Sequence, residues 1–306
     1  MNNREEVRQF LATRRARITP DQVGVTTYGG LRRVPGLRRD EVAQLAGVSV
    51  DYYTRLERGN LTGVSDSVLA AIAWALRLDD AERTHLFTLA RAAGPGRGTP
   101  KRRPQQTPVR ESIRAIIDGL SDLPASVVDG RMNLVATNRL GRALYDPVFE
   151  DAVHTPNHAR FVFLNPKATS FWVDWEIQGA EVVGALRAAA ARDPYDRDLT
   201  DLIGELVTRS DRFRTWWGSH DVFEHRGGVK RIDHPVVGRL DLTYEVLTLP
   251  SDPDLSILTY SAAQTSPSRD GLQLLATWAA TLDQGAPALD VPQVATTDGR
   301  DTRPRS

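Results

Sequence analysis

The sequence predicts an α+β protein in which an all-α N-terminal domain precedes a second domain that contains both strands and helices. Three observations lead to this prediction. Apolar residues recur at helical spacing through residues 4–93. Two later blocks, 125–138 and 229–262, are rich in the Val, Leu, Ile, Thr and Tyr that favour strands. Between the two parts, residues 94–108 are dominated by proline, glycine and basic residues, which is typical of a linker.

Composition narrows the class of protein. Of 306 residues, 41% are hydrophobic and 25% are charged, which supplies folded cores and excludes a wholly disordered chain. The absence of cysteine excludes disulfides, thiolate metal sites and a cysteine nucleophile. No apolar run reaches the roughly 18 residues of a membrane span, and the charged residues 1–8 lack the apolar core of a signal peptide. We expect a cytoplasmic protein.

Charge is divided unevenly along the chain. Residues 1–103 hold 18 Lys and Arg against 11 Asp and Glu, an excess of seven positive charges. Because each type totals 39, residues 104–306 carry an excess of seven negative charges. A basic first third predicts contact with a polyanion such as nucleic acid, and an incidental surface composition is the alternative.

Five helices are predicted in the N-terminal part, at 4–18, 38–46, 49–58, 65–78 and 79–93. Ser65 and Asp79 suit helix N-caps because their side-chain oxygens accept hydrogen bonds from the first turn. Gly59 and Gly94 suit helix ends. Residues 19–37 contain two prolines and four glycines and are predicted to form a long loop.

The C-terminal part alternates helical and strand patterns. A helix at 109–120 precedes a β-hairpin, 125–129 and 132–138, with its turn at Gly130 and Arg131. Helices follow at 139–144, 178–192, 196–209 and 210–219. Strands are predicted at 229–233, 239–249 and 255–262, and a closing helix at 268–282. The expected boundaries are therefore 1–93 for the first domain, 94–108 for the linker, 109–282 for the second domain and 283–306 for a disordered tail.

Residues 38–59 have the spacing of a helix-turn-helix. Two helices that cross steeply need a small residue where their axes approach, and Ala43 supplies it four residues before Gly47. Gly47 supplies the positive φ that the turn needs. Val48 then enters the core, and Ser49 caps the second helix.

The second helix of this motif has two faces. Ser49, Tyr52, Tyr53 and Leu56 are expected to face inward, and Asp51, Thr54, Arg55 and Arg58 share the opposite face. Arg donates in pairs to guanine, Thr contacts the thymine methyl and Asp accepts from cytosine, as a helix in the major groove requires. The predicted DNA-binding residues are Ser49, Val50, Asp51, Thr54, Arg55 and Arg58, with Arg38 and Arg39 on phosphates. An ordinary helical hairpin with a solvated polar face is the alternative.

The run LAGVSVDYYTRLERG at residues 45–59 resembles the helix-turn-helix of XRE-type regulators, the lambda-repressor/Cro class. The resemblance covers about residues 4–90 and implies that residues 49–58 form a recognition helix. It also implies a structural role for Glu57, paired with Arg14 or Arg15 of the first helix. A free surface position for Glu57 is the alternative.

The C-terminal part contains no string typical of catalysis, since GxSxG, HExxH and GxxxxGK[ST] are all absent. Pro156 separates His154 from His158 and spoils a helical metal-binding pair. His220, His225 and His234 lack nearby carboxylates at ligand spacing. We therefore expect no enzyme activity, no metal and no cofactor.

Aromatic residues are dense in this part of the chain. Trp172, Trp175, Phe213, Trp216, Trp217 and Phe223 follow shortly after Phe161 and Phe163. Such residues line an apolar ligand pocket or fill a plain core, and both alternatives stand on the sequence alone.

Two stretches, VVDGRMNLVATNR at 127–139 and FRTWWGSH at 213–220, resemble the MmyB-like regulator ligand-binding domain, as does 228–244. The resemblance covers about residues 110–280 and implies a PAS-like fold, in which an antiparallel sheet is flanked by helices, and a fatty-acid-like ligand. For such an amphiphile we predict a polar end at Arg214, His220 and His234 and an apolar wall at Trp175, Phe213 and Trp217. Pairing of Arg214 with Glu176 or Glu205 is the structural alternative.

Together these patterns predict a one-component transcriptional regulator with double-stranded DNA and a small amphiphilic ligand as partners. Because one recognition helix contacts only a few base pairs, we expect a homodimer on a pseudo-palindromic site. Two alternatives are a DNA-tethered enzyme and a regulator whose second domain only dimerises. An acid–base pair in a deep polar cleft would favour the enzyme, and a solid core would favour the dimerising domain.

Overall fold

The N-terminal helices form because each buries one apolar face, and three of them begin at a residue whose side chain caps the first turn. A computed structural model describes residues 3–25, 34, 36–94, 109–150, 155–219 and 227–285. The helices are α1 (Asn3–Arg17), α2 (Arg39–Leu45), α3 (Val50–Glu57), α4 (Asp66–Ala75) and α5 (Asp80–Ala92), with a 3₁₀ turn at Pro20–Val23. Asp79 Oδ1 accepts from Glu82 N at 2.8 Å, which confirms it as the N-cap of α5. One apolar core joins all five helices.

The C-terminal part is a five-stranded antiparallel sheet flanked by helices. Its strands are β1 (Ala125–Asp129), β2 (Leu134–Thr137), β3 (Gly227–His234), β4 (Gly238–Thr248) and β5 (Leu255–Ser261), in the order β2-β1-β5-β4-β3. The helices are α6 (Glu111–Gly119), α7 (Arg139–Leu144), α8 (His158–Leu164), α9 (Ala168–Phe171), α10 (Trp175–Arg192), α11 (Arg197–Arg209), α12 (Asp211–Gly218) and α13 (Pro267–Gly285). The predicted α+β class is confirmed.

Alternation along the strands separates two cores. Val127 of β1 lies opposite Ile257 of β5, and both pack beneath α6 in a small core. Leu240, Leu242 and Tyr244 of β4 belong to the larger core on the other side of the sheet, which α7, α10, α11 and α13 share. Alternation in β4 therefore turns one set of side chains to the larger core and the other set to solvent, whereas β5 places Ile257 in the small core and Tyr260 in the larger one.

Several elements differ from the sequence prediction. The short helices α8 and α9 were not predicted, and Asn157 Oδ1 caps α8 by accepting from Arg160 N at 2.9 Å. Helix α10 begins three residues earlier than predicted, and α13 continues to Gly285, past the predicted start of the tail. In the hairpin, Met132 rather than a glycine takes the positive φ of 65°, and the Asp129 carboxylate accepts from Arg131 N and Asn133 N.

The two parts of the chain touch through α10. Ala191, near the end of this helix, packs into the N-terminal core, and α10 lies against α5. Residues 95–108 of the predicted linker and residues 286–306 of the predicted tail lie outside the described residues. No described helix is both long and apolar enough to cross a membrane.

Candidate nucleic-acid interface and ligand cavity

The turn between α2 and α3 is closed by its own backbone. Gly47 has φ of 65°, Val48 N donates to Ala43 O at 3.0 Å, and Gly47 N donates to Gln44 O at 3.2 Å. This pair of bonds is the Schellman arrangement that ends a helix at a left-handed residue. Ala43 is fully buried. The roles predicted for Ala43 and Gly47 are therefore confirmed.

Helix α3 is fixed by its cap and by its buried face. Ser49 Oγ accepts from Tyr52 N at 3.1 Å, so Ser49 is the N-cap. Tyr53 and Leu56 are fully buried. Ser49 itself is exposed, because a capping side chain points back along the helix and not into the core, which corrects its expected inward position.

The opposite face of α3 is open to solvent. Val50, Asp51, Arg55 and Arg58 are exposed and Thr54 is half-buried. Asp51, Thr54, Arg55 and Arg58 line one surface groove together with Arg4 and Asn60. The Arg55 guanidinium lies 4.9 Å from the centre of the Tyr52 ring, which orients its donors. Arg38 and Arg39, at the start of α2, are also exposed. All eight predicted DNA-binding residues are thus reachable from solvent to some degree.

The buried carboxylate of Glu57 connects the helices that carry this surface. Glu57 accepts from Arg15 at 2.9 and 3.0 Å and from Arg39 at 3.0 and 3.1 Å. Burial alone would raise the pKa of Glu57, but the hydrogen bonds from Arg15 and Arg39 outweigh burial and hold the pKa below its usual value. Of the two arginines expected for Glu57, Arg15 is the partner, and Arg14 pairs instead with Glu82 at 2.6 Å.

A cavity of about 230 Å³ lies between α10 and the sheet. Ligand pockets usually range from roughly 300 to 1,000 Å³, so this one suits a small or slender molecule. Its apolar wall comes from β1, β2, β4, β5 and one face of α10. The apolar lining residues are Val128, Met132, Leu134, Val182, Ala185, Val246, Pro253 and Leu258.

One ion pair and several neutral polar groups share the cavity wall. Lys230 of β3 is buried, contacts the Glu181 carboxylate of α10 and lies 4.5 Å from the centre of the Tyr244 ring. Burial by itself lowers the pKa of Lys230 to about 7, and the contacting Glu181 carboxylate opposes this effect because it favours the charged ammonium. Tyr145 and Tyr260 share a hydrogen bond between their hydroxyls, and burial raises the pKa of both.

His158 belongs to the same wall and is neutral. Its Nε2 lies 3.1 Å from Gln178 Nε2, which donates to it. Burial, assisted by the charge of Lys230, lowers the pKa of His158 to about 3. The deep part of the cavity therefore presents uncharged groups and one internally balanced ion pair.

The residues predicted to hold the ligand lie elsewhere. Trp175 Nε1 donates to Val162 O at 2.8 Å, and Phe213 stacks on Trp217 with ring centres 5.6 Å apart. These rings form a packed core with Phe163 and Trp216, so close that a Cβ on Gly179 would lie 2.4 Å from the Trp216 ring. None of Trp175, Phe213 and Trp217 lines the cavity.

The predicted polar end is dispersed in the same way. Arg214 is exposed and pairs with Asp211 at 2.7 Å, so neither Glu176 nor Glu205 is its partner. His234 is buried, with Nε2 3.1 Å from Ala143 O and Nδ1 accepting from Val236 N. His220 lies outside the described residues, and the other two do not line the cavity. The described part of the chain holds no group of three or more His, Asp or Glu that suits a metal ion.

Two family profiles match the chain, one in each of its two parts. A family profile described as MmyB-like transcription regulator ligand binding domain matches residues 109–275, more than half of the chain. A profile described as Helix-turn-helix domain matches residues 7–86. The resemblance to MmyB-like regulators is thereby confirmed, and the N-terminal resemblance is confirmed as a helix-turn-helix domain. No curated protein matches the chain.

Replacing Glu57 with Gln should destabilise the protein by about 3 kcal/mol, because Arg15 and Arg39 lose the charge that compensates them. The measurement is chemical denaturation followed by circular dichroism. Glu176→Gln is the matched control, since Glu176 is 70% exposed and pairs loosely with Arg212; its effect should stay within about 0.5 kcal/mol. Equal effects of the two substitutions would contradict a structural role for Glu57.

Proposed function

The chain belongs to the family of MmyB-like transcription regulators and is a DNA-binding regulator, and we propose that it is a one-component, sequence-specific regulator that responds to a fatty-acid-like ligand. The observation that carries this proposal is the two-sided character of α3. Tyr53 and Leu56 are fully buried, while Asp51, Arg55 and Arg58 face solvent. A helix anchored on one side with base-reading side chains on the other suits the major groove.

DNA recognition is assigned to α3 in the manner of the XRE class. Arg55 and Arg58 donate to guanine edges, Thr54 contacts a thymine methyl, and Asp51 accepts from cytosine. Ser49 and Val50 lie at the N-terminal end of α3, which approaches the bases first, while Arg38 and Arg39 contact phosphates. One such helix contacts few base pairs, so the regulator binds as a homodimer to two half-sites of a pseudo-palindrome.

The ligand site is the cavity beside α10, within a domain that we compare in architecture to PAS domains. An apolar wall with a polar cluster at one end suits an amphiphile with an aliphatic chain. The presence of a cavity favours ligand binding over a domain that only dimerises. The matched family is one of transcription regulators, which favours ligand sensing over chemistry in a DNA-tethered enzyme.

The chain is divided for these two tasks. Residues 1–93 bind DNA, residues 94–108 link the domains, and the second domain, which begins at residue 109 and continues through α13 to Gly285, binds the ligand. The family matches at 7–86 and 109–275 support the two larger boundaries. Acting on DNA places the regulator in the cytoplasm. The ligand changes DNA binding only if it has different affinities for the competent and incompetent arrangements.

Arg55→Ala should weaken binding to the specific DNA site by about 1–3 kcal/mol and relax the preference at one base pair. The measurement is a set of gel-shift affinities on a selected site and its single-base variants at one fixed salt concentration. Arg114→Ala, an exposed arginine of α6, is the control and should leave the affinity unchanged. Uniform affinities across the panel for Arg55→Ala would show that Arg55 does not contact bases.

Mass spectrometry of the denatured, purified protein should release an amphiphile. Ala185→Phe should abolish its recovery, because Ala185 lines the cavity from α10 and a phenyl ring occupies the space. Thr208→Phe, on the exposed face of α11, is the control and should retain the amphiphile. No released molecule, together with no thermal shift from aliphatic alcohols or acids, would contradict ligand sensing at this site.

A further inference from the structure

The charges in the interior of the cavity already compensate each other. The buried cation, Lys230, is compensated by Glu181 and covered by the Tyr244 ring. At the mouth, Arg192 shares the lining with two carboxylates, Asp129 and Asp254. A ligand carboxylate would therefore enter a site whose lining holds one more carboxylate than cations, at a desolvation cost with no uncompensated cation to offset it.

Two buried polar atoms in the same wall lack hydrogen-bond partners. Gln178 Oε1 and the Tyr244 hydroxyl are both unpartnered, and both residues are more than nine-tenths buried. Both also line the cavity. Unpaired buried polar atoms are costly, so a group that satisfies them gains affinity from bonds that only a correctly shaped ligand makes.

The required group both donates and accepts. One end of the Gln178 amide pairs with His158, which leaves the other end for the ligand, as an acceptor or, with the amide reversed, as a donor. The Tyr244 hydroxyl is able to play either role. A ligand hydroxyl meets both demands and carries no charge, whereas a carboxylate only accepts.

We propose that this cavity binds an uncharged amphiphile whose polar end is a hydroxyl, held by Gln178 and Tyr244. The proposal rests on the proposed function, in which the cavity is the effector site, and it replaces the carboxylate of a fatty acid with a hydroxyl on the same kind of aliphatic chain. Glu181 acts as the specificity-determining residue, because it keeps Lys230 from attracting a carboxylate. The aliphatic chain lies against the apolar wall.

The test compares 1-decanol with decanoate by titration calorimetry on the full-length protein at neutral pH. The wild type should bind 1-decanol at least tenfold more tightly than decanoate. Gln178→Leu and Tyr244→Phe should each weaken 1-decanol binding several-fold. Tyr195→Phe, on an exposed tyrosine outside the cavity, is the control and should bind as the wild type does.

Glu181→Gln should reverse the preference, because it frees Lys230 to pair with the carboxylate and raises decanoate affinity above that of 1-decanol. Tighter binding of decanoate by the wild type would overturn the hydroxyl proposal and leave ligand sensing intact. Binding unaffected by Gln178→Leu and Tyr244→Phe would also overturn it and would assign those atoms to buried water. If neither probe binds, both this proposal and the effector site fail.

A separate observation concerns the contact between the domains. Arg187 of α10 is fully buried, and its Nη1 donates to Glu6 Oε1 of α1 at 2.6 Å. Its guanidinium also lies 4.3 Å from the centre of the Trp217 ring and donates to Trp217 O. His85 of α5 lies 3.7 Å from the same Glu6 oxygen, and burial lowers the pKa of His85, so it is neutral at neutral pH. Arg187 is the cation that the second domain presents to Glu6 across the interface.

Helix α10 also lines the cavity through Gln178, Glu181 and Val182. A displacement of this helix by a ligand therefore acts directly on α1 and α5, without passing through the linker. We infer that α10 transmits cavity occupancy to the DNA-binding domain, and that the Arg187–Glu6 pair holds the two domains in one arrangement. Such a pair suits a two-state contact, because breaking it leaves a buried charge uncompensated.

The native chain has no cysteine, so spin labels can be attached at two introduced cysteines, Asp66→Cys and Arg239→Cys. Pulsed electron paramagnetic resonance should give one narrow distribution of the distance between the two labels in the parent protein. After Glu6→Gln, the distribution should become broad or two-component. Glu5→Gln, a neighbouring carboxylate paired with Arg8, is the control and should preserve the narrow distance. Ala185→Phe, which fills the cavity, should shift the distance. An unchanged distribution in Glu6→Gln would overturn the holding role of the pair, and an unchanged distribution in Ala185→Phe would overturn transmission.

Discussion

The exposed surface of the helix-turn-helix depends on one buried carboxylate. Glu57 ends α3, and its two oxygens accept four hydrogen bonds from Arg15 of α1 and Arg39 of α2. Arg15 also donates to Leu37 O, so the segment that enters α2 is held as well. Three helices are therefore fixed relative to one another at the point where their exposed sides converge. The groove lined by Asp51, Arg55 and Arg58 keeps its shape because the residues beneath it have little freedom.

The second domain uses buried charge differently. Around Glu57 the ion pairs position a surface, whereas Lys230 and Glu181 lie in the wall of a cavity and neutralise each other there. Burial lowers the pKa of Lys230 because the low-dielectric wall disfavours its charged form, and the neighbouring tyrosines and His158 stay uncharged for the same reason. The interior of the wall is therefore polar, with its cation paired to Glu181, and the proposed ligand selectivity rests on hydrogen bonds rather than on ion pairing.

The fold was predictable where local chemistry decides it, and the cavity was not. Gly47 in the turn, Ser65 and Asp79 at helix starts, and the alternation in β4 all act over a few residues, so the sequence reveals them. On the sequence alone, the aromatic residues around Trp175 and Trp217 suit a ligand pocket as well as a core, because large rings occur in both. In the structure these rings pack on one another and form a core. Short helices such as α8 escaped prediction because four to seven residues give too little periodicity.

The residues that line the cavity follow a sequence pattern that can be interpreted only from the tertiary structure. Gln178, Glu181, Val182 and Ala185 recur at i, i+3, i+4 and i+7, which marks one face of α10, but a mixed polar face looks like any solvated surface. Lys230 alternates with Ile232 and His234 on one face of β3, and an inward lysine is interpretable only once Glu181 is seen opposite it. The same helix meets the N-terminal domain through Arg187 and Ala191. One helix is therefore shared by the cavity and by the contact with the N-terminal domain, so in the proposed transmission a ligand that favours one position of α10 also favours one arrangement of α1 and α5.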